Sequence, residues 1–251
     1  MDTTSTDTEC PYRQRLASAT WVGFDLDDTL HEFRNASSAA SNSVIRTISE
    51  QYAMPTQLLQ QKYAVILREK TSHAFADDRS SHDYRKEGFL ALLESVEIAA
   101  DDEFIQGLLV TYERSLAASL KLKDGALGLL QRLKSLGKKV VVITEGPQDA
   151  QEWTVTQLGI APCVDYLATT NQFRSTKTTG LFSHVLKHLG VAPDDIVYIG
   201  DNLDRDIVPA VDEGILCIYL ADTPTVRTGE GVFRASSLAE DEQLLQNWPV
   251  V

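Results

Sequence analysis

The stretch Trp21-Val22-Gly23-Phe24-Asp25-Leu26-Asp27-Asp28-Thr29 decides how this chain folds. Apolar residues in unbroken succession, rather than in alternation, are the pattern of a strand buried on both faces, as in a parallel sheet. Carboxylates crowd into the residues that follow, where such a strand stops. The pattern recurs: Ile196-Val197-Tyr198-Ile199 runs into Gly200-Asp201-Asn202-Leu203-Asp204-Arg205-Asp206, and Val140-Val141-Val142-Ile143 ends on Thr144. Ligands of open α/β sheets bind outside the carboxyl ends of the strands, so these segments are expected to share one site.

From Asp124-Gly125 onward, short apolar strands alternate with helical stripes. Leu127, Leu130, Leu133 and Leu136 form a stripe stopped at Gly137; Pro147 opens a helix that Gly159 closes. Tyr166 to Thr169 reads as a strand, Thr178 to Leu189 as a helix ended by Gly190, and Ile207 to Glu213 as a helix before the strand Ile215 to Leu220. This alternation indicates an α/β fold built on a doubly wound parallel sheet. Residues 34–122 show no strand pattern. Pro55 suits a helix start there, and Phe104, Leu108, Tyr112, Leu116 and Leu120 recur at every fourth position. An all-helical domain, residues 32–122, is therefore expected between two pieces of a core domain, residues 18–31 and 123–251. Met1 to Ala17, rich in Thr, Ser and Asp, is expected to be a disordered terminus.

With 251 residues, 43% of them hydrophobic, the chain has enough apolar material for a substantial core. Its formal charge of −13 disfavours nucleic acid as a partner but is compatible with a small anion held by a metal and local cations. No apolar run approaches the roughly 20 residues of a membrane span. Met1 to Cys10 has neither a basic n-region nor an apolar h-region, and a cytoplasmic location is expected. Cys10, Cys163 and Cys217 are far apart and lack metal-binding spacing, and Cys217 reads as a small core residue.

On these residues the chain resembles the haloacid dehalogenase superfamily of hydrolases. DxDxT at Asp25 to Thr29, the strand-end Thr144, Lys177 and GDxxxxD at Gly200 to Asp206 follow in family order across roughly residues 18 to 222. The chain departs from the family pattern at Thr178, where relatives often carry proline. The resemblance implies a doubly wound core with a helical cap inserted after the first motif. It also implies a Mg²⁺-dependent phosphatase, a phosphoric monoester hydrolase acting on a small phosphorylated metabolite.

Residue roles follow from the same resemblance. Asp25 is the expected nucleophile, forming a phosphoaspartate, and Asp27 the acid and base that serves the leaving alkoxide and then water. Thr144, Lys177 and the groups of Glu145 and Gly146 are expected to bind the phosphoryl oxygens. Asp25, the Asp27 carbonyl, Asp201 and Asp206 are the expected metal ligands, with Asp206 alternatively orienting a metal water or Lys177. The chemistry wants such a set, because an attacking carboxylate is repelled by an anionic ester unless a hard cation on oxygen ligands offsets the charge. Arg85, within His82-Asp83-Tyr84-Arg85-Lys86, is the candidate contact to the leaving group. His31, Phe33 and Arg34 lie where the helical segment leaves the core.

Asp27 separates reaction types, since dehalogenases do not need an acid two residues past the nucleophile. Phosphatase is the expected activity. A phosphomutase of the same fold and a non-catalytic binding or regulatory module are the alternatives, and a phosphonatase would need a cap lysine such as Lys62, Lys70 or Lys86. The leaving group and the oligomeric state stay open.

Overall fold

The computed structural model describes residues 18–70, 75, 77–221 and 231–239. The expectation for Met1 to Ala17 lies outside the described residues. Six parallel strands, β1 (Trp21–Phe24), β2 (Lys139–Thr144), β3 (Tyr166–Thr169), β4 (Ile196–Gly200), β5 (Leu216–Leu220) and β6 (Val232–Ala235), form one sheet in the order β3-β2-β1-β4-β5-β6.

The unbroken apolar runs have a direct cause. Successive side chains of a strand point to opposite faces, and helices cover both faces here. Val22, Phe24, Val140, Val142, Val197 and Ile199 enter one core. Helix α5 (Ala126–Ser135) packs there through Ala126, Leu129, Leu130 and Leu133. Trp21, Val141, Ile143, Ile196 and Tyr198 enter the other, where Leu181, Phe182, Val185 and Leu186 of α7 (Leu181–Leu189) meet them. Two more helices link the strands, α6 (Gln148–Gln157) after β2 and α8 (Val208–Asp212) before β5.

Four helices separate β1 from α5: α1 (Phe33–Tyr52), α2 (Thr56–Lys70), α3 (Ser81–Ser95) and α4 (Asp102–Ser119). They enclose a separate apolar cluster that includes Ala36, Val44, Ile48, Phe89, Leu92 and Leu108. The buried stripe of α4 is Ile105, Leu108, Leu109, Tyr112 and Leu116, whereas Phe104 and Leu120 are only partly buried. A strict four-residue repeat drifts around a helix of 3.6 residues per turn, so its two ends leave the buried face. The chain enters and leaves this bundle through paired segments. Glu32 N donates to Lys121 O at 2.9 Å, Lys123 N to Leu30 O at 2.9 Å, and Lys121 Nζ reaches Glu32 Oε1 at 2.7 Å.

One local expectation is corrected, and two further features go beyond the sequence pattern. The helix expected from Thr178 breaks into a 3₁₀ turn, Lys177–Thr179, and α7, with Gly180 at φ +109° between them. The helix after β4 begins as a wide π turn, Leu203–Ile207, before α8. Strand β6 had no apolar run to announce it, because three of its four residues are only half-buried. Among the described residues no helix is long and apolar enough to cross a membrane.

Candidate active site

Strand order reverses at β1, which lies between β2 and β4, and such switch points open a crevice at the carboxyl edge of a parallel sheet. Asp25 follows β1 directly, its N–H bonded to Ile199 O at 2.9 Å. Thr144 ends β2, and Gly200 ends β4 just before Asp201. Lys177 comes to the same edge from the 3₁₀ turn that follows β3.

Lys177 is the electrostatic centre. It is 3% exposed, and its Nζ lies 2.5 Å from Asp25 Oδ1 and 2.5 Å from Asp206 Oδ1. Burial alone would lower the pKa of this ammonium; the Asp206 and Asp25 carboxylates outweigh burial and raise it, so the side chain stays charged. Burial pushes the Asp25 carboxyl well up, and Asp206 and Asp27 add to the shift that Lys177 opposes. Asp201 is likewise raised, by burial first and then by Asp206, with Arg34 pulling the other way.

Asp25, Asp201 and Asp206 present carboxylate oxygens within 4.8 Å of one another. A single ammonium among three carboxylates leaves negative charge in excess. An all-oxygen donor set of that kind fits a hard divalent cation rather than a soft one. Thr144 is fully buried, and its Oγ1 has no hydrogen-bond partner, as suits a donor to a phosphoryl oxygen.

Asp206 Oδ2 accepts from Asn202 N at 2.9 Å, and the buried Tyr198 hydroxyl stands 3.3 Å from its Oδ1. Asp28 sits in the left-handed region at φ 62°. Its carboxylate takes Arg34 N and Arg34 Nε, both at 3.0 Å, while Arg34 Nη2 reaches Asp201 Oδ2 at 3.4 Å. Asp28 thus pins the first turn of α1 to the sheet edge. Asp27 meets His31 Nε2 through Oδ1 at 2.9 Å and Gln151 Nε2 through Oδ2 at 3.5 Å.

Asp25, Asp27, Thr144, Glu145, Lys177, Asp201 and Asp206 therefore converge, with two adjustments. The Glu145 carboxylate turns to Lys177 N at 3.0 Å and Arg205 Nη1 at 3.4 Å, so it supports the lysine turn. Gly146 N–H is committed to Thr170 Oγ1 at 3.0 Å. Arg85 stays in the helical bundle, its guanidinium 5.0 Å from the centre of the Tyr112 ring. Burial raises the Tyr112 phenol, and Arg85 opposes that rise while the Asp27 charge adds to it. Gln151 and the hydroxyl of Tyr198 are site groups with no mark in the sequence. Gln151 lies in a polar helix with no signal of burial, and Tyr198 was hidden in an apolar run.

The family model for haloacid dehalogenase-like hydrolases matches residues 20–212. The chain belongs to that family. The haloacid dehalogenase-like assignment is accompanied by similarity to the glyceraldehyde 3-phosphate phosphatase of Methanocaldococcus jannaschii, 27% identical over 203 residues, which are 78% of this chain and 82% of that protein. The validoxylamine A 7'-phosphate phosphatase of Streptomyces hygroscopicus subsp. limoneus is 30% identical over 132 residues, half of this chain and 57% of that one. A HAD phosphatase from Thermococcus onnurineus shares the fold, with a TM-score of 0.68 at 19% identity, covering 92% of this chain and 100% of that one.

Proposed function

We propose that this haloacid dehalogenase-like hydrolase is a Mg²⁺-dependent phosphatase that hydrolyses a small phosphomonoester through a phosphoaspartate. The observation that carries the reading is Lys177 held between Asp25 and Asp206, with Asp201 beside them. The phosphatase names of the similar proteins support it.

Asp25, Asp201 and Asp206, with the Asp27 carbonyl, would hold the divalent cation. When bound, the ion supplies positive charge that offsets repulsion between nucleophile and ester. The Asp25 oxygen not paired with Lys177 attacks phosphorus as the bond to the leaving oxygen breaks, and Asp27 protonates that oxygen. Asp27 then takes a proton from the water that hydrolyses the acyl phosphate, returning Asp25 as a carboxylate. Throughout, the Lys177 ammonium neutralises charge on the phosphoryl oxygens, and the Thr144 hydroxyl donates to one of them. The helices of residues 32–122 act as a cap over the crevice, with Arg85 as the cap side chain directed to a polar or anionic leaving group.

A panel of phosphate esters, assayed for inorganic phosphate with and without Mg²⁺, tests this reading. Metal-dependent release from one or more esters is expected. Isomerised ester with a retained bisphosphate would establish a mutase instead, and no turnover on any ester would favour a binding module.

A further inference from the structure

We infer that His31 and Gln151 form a two-sided clamp on Asp27 and act as positioning residues for its proton transfers. The inference rests on the phosphatase reading above.

The two carboxylate oxygens of Asp27 face different partners. Oδ1 is 2.9 Å from His31 Nε2, and Oδ2 is 3.5 Å from Gln151 Nε2. The partners come from opposite sides of the site. His31 lies between β1 and α1 where the chain leaves the sheet, and its backbone bridges both Asp27 and Leu122. Gln151 projects from α6. The direction of its amide is fixed by a second acceptor, because Nε2 also donates to Glu145 O at 3.3 Å; the reversed amide would set its oxygen against a carbonyl and a carboxylate.

Plain packing does not explain either residue. His31 is fully buried and Gln151 is 5% exposed, yet His31 Nδ1 and Gln151 Oε1 have no hydrogen-bond partner. A leucine of similar volume would leave no such atom unsatisfied. A buried group left unsatisfied calls for a reason, a catalytic role among them, and here another atom of each side chain faces Asp27. Gly146 supports the same arrangement. At φ +150° it has no Cβ, and one placed there would lie 2.5 Å from Gln151 Nε2, so glycine lets the amide reach past the β2 end.

An acid that must reach first a leaving oxygen and then a water gains from a carboxylate held in one orientation. Of the hydrogen bonds that bear on Asp27, the one from His31 is the shorter, so His31 is the stronger arm.

The test compares an alkyl phosphate with 4-nitrophenyl phosphate, whose phenolate leaves with little help, in the Mg²⁺-loaded full chain. Gln151→Leu and His31→Leu should each slow the first turnover of the alkyl ester, followed as alcohol released, about 10-fold to 30-fold, yet change the burst of 4-nitrophenolate by less than about 3-fold, with KM within about 2-fold for both, because general acid catalysis matters most for the basic leaving group; hydrolysis of the phosphoaspartate, common to both esters, should slow alike. His31→Gln replaces the imidazole N–H by an amide N–H donor and should recover most of the alkyl rate; with Gln151→Leu it carries the test if His31→Leu does not fold. In an Asp27→Asn background neither leucine substitution should have any further effect. Equal losses in the first-turnover rates of the two esters, or losses that multiply with that of Asp27→Asn, would overturn the clamp. If Asp27→Asn itself slows the first turnover of both esters equally, the acid role fails, and the clamp fails with it, a result distinct from an intact Asp27 preference that the leucine variants leave untouched.

Discussion

Lys177 Nζ and Asp25 Oδ1, 152 positions apart in sequence, meet at 2.5 Å with both side chains buried. The contact joins the turn after β3 to the end of β1, and Asp206 closes it from the far side. The Lys177 charge depends on the two carboxylates to remain in a buried setting.

Removing the cation and removing the nucleophile should therefore differ in kind. Lys177→Met leaves Asp25 and Asp206 facing each other without a counter-charge and should destabilise the metal-free protein by about 3–5 kcal/mol, read as a large fall in Tm. Asp25→Asn removes a charge from a crowded acidic site. It should leave Tm nearly unchanged while lowering kcat at least about 10³-fold, roughly 4 kcal/mol of transition-state stabilisation. A catalytically competent Asp25→Asn would remove Asp25 as nucleophile.

EDTA should abolish turnover and Mg²⁺ restore it, with Ca²⁺ a poor substitute because its larger, looser coordination shell does not impose the same geometry. Asp201→Asn should raise the Mg²⁺ concentration needed for half-maximal rate at least about 10-fold. Full activity in metal-free buffer would defeat the assignment.

Gly200→Ala should act through Asp206. A Cβ at residue 200 would lie 2.6 Å from the Asp206 Cβ and 2.8 Å from its Cγ, so the carboxylate must leave Lys177 or the strand end must shift. The expected result is a loss of about 10²-fold in kcat with a stability loss of about 1–3 kcal/mol, measured by kinetics and denaturant unfolding. Wild-type kinetics would show that the site has slack there.

Asp165 offers a test away from the site. Its carboxylate accepts Val140 N at 2.7 Å and Lys134 Nζ at 2.6 Å. Burial pushes its pKa up, but those two bonds prevail and leave it below the usual carboxylate value. A depressed native pKa adds stability above the unfolded value and loses it as pH falls through the native one. Asp165→Ala should thus cost about 1 kcal/mol at pH 7, a modest figure for a partly solvated pair, and its unfolding curve should converge with wild type in acid.

The sheet edge was legible because its strands are apolar on both faces and its acids sit one residue past them. Asp25, Thr144 and Asp201 could be placed from that alone. Gln151 could not, since its burial depends on α6 turning it toward Asp27 across 124 positions of sequence. Arg34 was noted only for its place in the chain; its reach to Asp28 and Asp201 depends on the left-handed turn at Asp28. The turn of the Glu145 carboxylate to Lys177 N–H and Arg205 carried no sequence signal either, because it depends on the fold of the lysine turn.

The hydrogen bonds joining Glu32 to Lys121 and Leu30 to Lys123 give the helical bundle a single doorway. Seen from the sheet, everything between those residues is one loop whose ends already touch. The entropy of closing a loop grows only with the logarithm of its length, about 0.6 kcal/mol per doubling, so the sheet is almost indifferent to how much chain hangs from the doorway. Helices could be added, trimmed or exchanged there while Asp25, anchored upstream by its bond to Ile199, keeps its register. What hangs there can change while the strand end that carries Asp25 stays as it is.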